Sequence, residues 1–167
     1  MGITLRTFDG GEKQHFPGGK EIPCFRCGLC CTLLQPQIDE IEVRHIALAL
    51  GLSRSTFQKR YLNIYQPKPG IYLLKRRREA CIFLRRAGKR GFCLIQRVKP
   101  QACRRWTASL TLTECQEGLK RLGGDFLAPS QLYDDPEERS AFYQRMKDEQ
   151  KEAFSHPETS EQGQEIK

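Results

Sequence analysis

Four of the eight cysteines lie within eight residues, in the run Cys24-Phe-Arg-Cys27-Gly-Leu-Cys30-Cys31. Thiolates are soft ligands, and they favour zinc, copper(I) and iron–sulfur centres over magnesium or calcium. The two-residue spacings let one loop direct three sulfurs at a single centre, as in the bacterial ferredoxins that bind [4Fe–4S] clusters. The run therefore predicts a cysteine metal site.

The other four cysteines occur singly, at Cys81, Cys93, Cys103 and Cys115. Eight thiolates suffice for two four-cysteine sites, or for one centre with spare thiols. We expect Cys24, Cys27 and Cys30 to bind one centre, whose remaining ligands come from Cys81, Cys93, Cys103 and Cys115. Cys31 is assigned to a second site or to a reactive free thiol, and Cys115 ranks last among the ligands.

Neither zinc nor an iron–sulfur cluster is singled out by these spacings. Structural zinc sites more often pair two C-x2-C knuckles, and this chain has such spacing at one end only. The ferredoxin run continues with a further ligand and a proline, which are missing here. An iron–sulfur cluster, of the [4Fe–4S] type, and zinc both remain candidate cofactors.

A disulfide scaffold is the alternative use of eight cysteines. The N-terminus lacks a basic segment followed by an apolar core, so it is not a secretory signal. Adjacent Cys30 and Cys31 cannot easily bridge each other. No apolar run is long enough to cross a membrane. We therefore expect a cytoplasmic protein without membrane association, in a reducing compartment where clustered cysteines bind metals.

The charge is divided unevenly along the chain. Residues 54–105 contain sixteen Lys and Arg and one acidic residue, whereas residues 125–167 contain eleven acidic and five basic residues. The favoured interpretation is that the basic residues form a solvated face and offset thiolate charge near the metal. The alternatives are a basic, metal-stapled module that binds nucleic acid weakly through residues 54–105, and an unidentified protein partner.

The predicted fold is α+β: a small cysteine-cluster domain of short helices and a β-hairpin, with a C-terminal helical tail. Residues 1–21 are expected to form a polar arm or a short edge hairpin, residues 22–122 the metal-binding domain, and residues 123–167 an acidic helical tail that is disordered from about residue 155.

Local signals place the elements within that domain. Asp39 and Glu42 form a capping box, and the helix that follows ends at Gly51, while Ser53 caps a second helix whose face carries Phe57, Tyr61 and Ile64. Strands are predicted at 71–74, 81–84 and 92–95, so Cys81 and Cys93 would lie on one hairpin. Further helices are predicted to start at Pro100, over 113–122 and at Asp135 in the tail, where Phe142 and Met146 mark the buried side. His45 lies beside the buried stripe of its helix and is expected to face solvent.

The whole pattern resembles the CxxCxxCC cysteine-cluster family, the YkgJ-like proteins described as zinc- or iron-chelating domains, from about Ile22 to Gly118. The shared features are the cysteine run with Gly28, the Leu50-Gly51 helix end, the Ser53 helix, Cys81-Ile-Phe-Leu84 followed by Cys93, Lys99-Pro100-Gln-Ala-Cys103-Arg104, and Cys115. The chain departs from the family at Gln96, Lys99 and Trp106-Thr107. The resemblance implies metal chelation by the eight cysteines.

An enzyme that uses the centre for redox or group-transfer chemistry is the remaining alternative. The sequence has no serine–histidine set, paired carboxylate motif or phosphate-binding loop. It therefore names no catalytic residue and leaves open whether the protein is an enzyme.

Overall fold

The computed structural model describes residues 2–7, 10–15, 24–109 and 111–122, together with seven helical positions between 136 and 151. Both helices and small antiparallel sheets are present, so the α+β prediction is confirmed. The helices are α1 (Leu29–Leu33), α2 (Glu40–Ala49), α3 (Arg54–Tyr61), α4 (Gln101–Arg105) and α5 (Thr113–Leu122). The strands are β1 (Ile3–Thr7), β2 (Glu12–His15), β3 (Leu34–Gln35), β4 (Gln37–Asp39), β5 (Leu62–Ile64), β6 (Ile71–Leu74), β7 (Arg76–Arg77), β8 (Ala80–Cys81), β9 (Leu84–Ala87) and β10 (Arg90–Cys93).

The strands form four small antiparallel groups. β1 lies between β2 and β3, β6 lies between β4 and β5, and β7–β8 and β9–β10 are two-stranded. The predicted N-terminal hairpin is thus present as β1–β2, with Ile3 opposite His15. The predicted tail features at Asp135, Phe142 and Met146, and beyond residue 155, lie outside the described residues. Within the described part of the chain, no helix has the length and apolar character to cross a membrane.

Helices α2 and α3 start where the capping signals predict. The Glu42 amide donates to Asp39 Oδ1 (2.9 Å), and the Asp39 amide donates back to Glu42 Oε2 (3.3 Å). The Thr56 amide donates to Ser53 Oγ (3.1 Å). Gly51 follows α2 with a left-handed φ of 65°, a conformation that glycine adopts without strain. These local bonds satisfy amides that would otherwise lack partners.

The main core joins these two helices to the central sheet. Its fully buried side chains include Ile38, Val43, Ile46 and Phe57. Phe83 packs against the same cluster and stacks on Phe57, with ring centroids 6.4 Å apart. Cys81 and Cys93 pack against this core as well, so the scaffold fixes two of the cysteine positions directly. His45 is exposed on α2, as predicted.

Two predictions of local structure are wrong, one of a strand with its hairpin and one of a helix face. Residues 81–84 do not form one strand: Cys81 ends β8, opposite Arg76, and Leu84 starts β9, opposite Cys93. The two cysteines therefore lie on successive hairpins. The cause is the β7–β8 turn, in which Arg78 (φ 49°) and Glu79 (φ 63°) adopt positive φ without glycine or asparagine. Ile64 lies exposed in β5 and not on the α3 face.

Candidate metal centre

The cysteine loop lies directly on the backbone of the β9–β10 hairpin. Gly28 has φ 72°, and a Cβ added to Gly91 would lie 3.0 Å from the Gly28 Cα. The Gly91 amide donates to the Arg26 carbonyl (2.7 Å), and buried Arg90 donates to the Phe25 carbonyl (3.2 Å). Because neither glycine carries a side chain, the loop and the hairpin approach closely enough to bring distant thiols together.

A first cavity of about 150 Å³ is lined by six of the eight cysteines. Its walls are mostly apolar and include Leu34, Leu74, Phe83, Ile95 and Trp106. The six thiols come from the cysteine loop, α1, the ends of β8 and β10, and α4: Cys24, Cys30, Cys31, Cys81, Cys93 and Cys103.

A second cavity of about 40 Å³ borders the same cysteine loop. It is lined by Cys27 and Cys115, which do not line the first cavity, and by Cys24 and Cys30, which line both. Helix α5 approaches closely here, because a Cβ added to its Gly118 would overlap the Cys27 sulfur. The eight cysteines thus border two neighbouring cavities that share Cys24 and Cys30.

The thiols of the first cavity influence one another through their charge. Burial raises the pKa of Cys81 to about 12, and the charges of Cys31 and Cys93 add to the increase. Burial also raises the pKa of Cys103, with the other three thiols of this set adding to it. The four thiols Cys31, Cys81, Cys93 and Cys103 therefore form one electrostatic cluster.

Cys115 belongs to the other cluster. Burial raises the pKa of Cys115 to about 11, and the charges of Cys24 and Cys27 add to the increase. Cys30 and Cys31 link the clusters: a hydrogen bond from Cys30 holds the pKa of Cys31 at about 7, and the pKa of Cys30 rises. The sequence analysis places Cys31 at a second site or as a free thiol and puts Cys115 last among the ligands, and this ligand assignment stays a prediction.

Backbone amides donate hydrogen bonds to three of the sulfurs from the same relative position in the chain. In each case the donor is the amide two residues further along the chain. The Leu29 amide donates to Cys27 Sγ (3.5 Å), and the amides of Phe83 and Ile95 donate to Cys81 and Cys93. Such bonds favour the charged thiolate, and hydrogen bonds to ligand sulfurs tune a bound metal.

Part of the basic stretch faces the thiols. Lys99 and Arg86 lower the pKa of Cys31, after the larger effect of the Cys30 hydrogen bond, and Lys99 acts in the same direction on Cys93 and Cys103. This arrangement agrees with the interpretation that basic residues offset thiolate charge.

Sequence reasoning missed three side chains that border the cavities. Trp106 lines both cavities and packs on His15, with ring centroids 4.4 Å apart. Glu114 lines the second cavity, pairs with Lys13 through Oε1, and has a buried Oε2 without a hydrogen-bond partner. Gln96 lines the first cavity with a buried, unpartnered Oε1. In the sequence, Trp106 and Gln96 stand out only as departures from a family pattern, and no sequence signal points to Glu114.

The donor set suits a thiophilic metal, but the thiols surround the cavities without meeting at a point. Among the described residues, no three Cys, His, Asp or Glu side chains converge on one metal-ion position. All eight cysteines are free of disulfides. The arrangement can supply several soft thiolate donors to a bound inorganic group.

Comparison with known proteins agrees with this chemistry. A family model described as "CxxCxxCC: Putative zinc- or iron-chelating domain" matches residues 23–123, which include all eight cysteines. No curated protein and no solved structure is significantly similar to the chain. Since the match covers more than half of the chain, the chain belongs to the CxxCxxCC family of zinc- or iron-chelating domains.

Proposed function

We propose that the protein holds an iron–sulfur cluster in the first cavity, with Cys31, Cys81, Cys93 and Cys103 as ligands. The observation that carries this proposal is the cavity itself, because its thiols stand apart around a volume of about 150 Å³.

The size of the cavity favours a cluster over a single zinc ion. Four sulfurs bound to zinc at about 2.3 Å in a tetrahedron lie about 3.8 Å from one another. Six thiols border the first cavity, which is more than one such tetrahedron uses. A single water-sized body needs only about 10–15 Å³, so the cavity has room for a group of several atoms.

The surroundings of the four thiols support the same proposal. Apolar side chains exclude water from the sulfurs, the amides of Phe83 and Ile95 donate to two of them, and Lys99 and Arg86 offset their negative charge. When bound, a cluster supplies one-electron chemistry or structural cross-linking. The protein's own contribution is to hold the cluster, shield it and set its potential through these contacts.

The titratable side chains that line this cavity are cysteines, Lys99 and Arg26. Redox or group transfer at the metal itself is the enzyme alternative that this lining favours. A reducing, cytoplasmic environment is part of the proposal, since the thiolates must remain reduced to bind metal.

Anaerobic purification followed by iron, sulfide and zinc analysis and a visible absorption spectrum tests the proposal. We expect stoichiometric iron and acid-labile sulfide with broad charge-transfer absorption. Cys81→Ser should lose that absorption, while Ala80→Ser, which adds the same hydroxyl one position earlier on β8, should keep it. A colourless protein that contains only zinc would refute the cluster, and a protein that binds neither metal would refute metal holding altogether.

A further inference from the structure

We infer that the second cavity is a separate metal centre, in which Cys24, Cys27, Cys30 and Cys115 bind a zinc or iron ion beside Glu114. This inference rests on the proposed function in one respect only, namely that the cysteines of this chain bind metal as thiolates.

The position of Cys27 and Cys115 is the first support. Both line the second cavity and neither lines the first, so neither is placed to bind a group held there. They come from different elements, Cys27 from the cysteine loop and Cys115 from α5. Gly118, one turn after Cys115, allows the helix to approach the loop at this point.

The cysteine run itself divides between the two cavities. Cys30 and Cys31 are consecutive on α1, and successive side chains on an α-helix diverge by about 100° because there are 3.6 residues per turn. Cys31 lines the first cavity only, whereas Cys30 and Cys24 line both cavities. Assigning Cys24 and Cys30 to the second cavity gives four thiols to each, with Cys31 completing the first set.

Glu114 provides evidence that does not depend on the thiols. Its side chain is 9 % exposed, and Lys13 pairs with Oε1 only. Oε2 is buried without a hydrogen-bond partner and belongs to a residue that lines the second cavity. A buried carboxylate oxygen without a partner is costly, and a cation in the cavity would satisfy it.

The volume of this cavity indicates the kind of group that it would take. At about 40 Å³ it is roughly a quarter of the first cavity, which suits one metal ion better than a multinuclear cluster. The thiols must move inward to reach coordination distance, since no three of the described donors yet share one position. Thiolate donors select zinc or iron over magnesium or calcium, and a carboxylate oxygen is compatible with either.

Cys24 makes the inference testable in the unmodified protein, because its side chain is exposed. An exposed free thiol is alkylated readily, whereas a metal-bound thiolate is not. We therefore expect metal-loaded protein, treated with iodoacetamide and mapped by mass spectrometry, to resist alkylation at Cys24. Metal analysis of the same sample should give one further zinc or iron ion beyond the content of the first centre. Rapid alkylation of Cys24 in protein that retains all its metal would overturn the inference.

A pair of matched variants separates the two centres. Cys115→Ser should expose Cys24 and Cys27 to alkylation and remove one metal ion, while it leaves the visible spectrum of the first centre unchanged. Cys81→Ser should abolish the visible spectrum of the first centre, while it leaves Cys24 and Cys27 protected and the metal ion of the second centre in place. Full metal content in Cys115→Ser would overturn the inference, as would simultaneous loss of both centres in a variant that keeps its native circular dichroism. Protection of Cys24 in a protein without iron–sulfur absorption would refute the cluster proposal and leave the second centre standing.

Discussion

Substitution of Gly118 by alanine should destabilise the protein at the contact between α5 and the cysteine loop. An added Cβ would lie 2.9 Å from Cys27 Cβ and 3.4 Å from Phe25 Cε2, and it would overlap the Cys27 sulfur. Carbon atoms in contact prefer a separation of about 3.5–4.0 Å, so the helix and the loop must move apart by roughly 1 Å.

The expected net effect combines two opposing contributions. Overpacking a closely packed contact costs about 1–3 kcal/mol, and a clash with both Cβ and Sγ belongs at the upper end of that range. Alanine in place of glycine within a helix returns about 1 kcal/mol. The net loss is about 2 kcal/mol, which lowers the melting temperature of a chain of this size by about 4–8 °C.

Thermal melting of metal-loaded protein, monitored by circular dichroism, measures this effect. Lys120→Ala, at an exposed position of the same helix, is the control and should change stability by no more than about 0.5 kcal/mol. Gly118→Ala should also increase the alkylation of Cys27, because that thiol is displaced. A Gly118→Ala protein that melts at a higher temperature than wild type, with Cys27 equally protected, would refute the close approach of α5 to the loop.

Four further predictions concern the metal and the charges around it. Removal of metal by a strong chelator under reducing conditions should abolish cooperative thermal unfolding, because metal binding is coupled to folding in small thiolate domains; an unchanged melt after verified removal would contradict this. Since the pKa of Cys81 is raised to about 12 and that of Cys103 is raised as well, these thiols are protonated at neutral pH without metal. Metal binding should therefore release protons and strengthen as pH rises, which calorimetry in buffers of different ionisation enthalpy can measure; binding that does not change with pH would be inconsistent with this. Lys99→Gln removes a positive charge beside the first centre and should make its reduction potential more negative in a redox titration, whereas Lys68→Gln, at an exposed position, should not. Nucleic acid should bind weakly to residues 54–105 and dissociate at physiological ionic strength in fluorescence anisotropy; tight binding there would favour the nucleic-acid alternative.

The elements that local chemistry determines could be predicted from the sequence. The caps at Asp39 and Ser53 act within three residues, so the starts of α2 and α3 follow from the sequence alone. The same holds for the α+β class and for the short helix after Pro100. The eight cysteines remain predicted ligands on the same basis, since their types and spacing already indicated metal chemistry.

The division of the thiols into two groups could not be predicted in the same way. It depends on contacts between residues far apart in sequence, above all on Gly28 lying against Gly91. It also depends on the turn at Arg78 and Glu79. Both residues have positive φ values, which cannot be predicted there because neither is a glycine or an asparagine. Glu114 illustrates a further limit, because a single acidic residue on a helix gives no sign that it will be buried beside a cavity.

The separation of the cysteines along the chain has a consequence for synthesis. The run at 24–31 leaves the ribosome first, and Cys115 follows 84 residues after Cys31. At a translation rate of about 5–20 residues per second, Cys115 is added roughly 4–17 seconds after Cys31. Neither cavity can close during that interval, since both need α4 or the segment after it. The nascent chain therefore presents four unprotected thiols at first and seven once Cys103 has been added, and metal loaded before translation is complete could be held only by part of the final set.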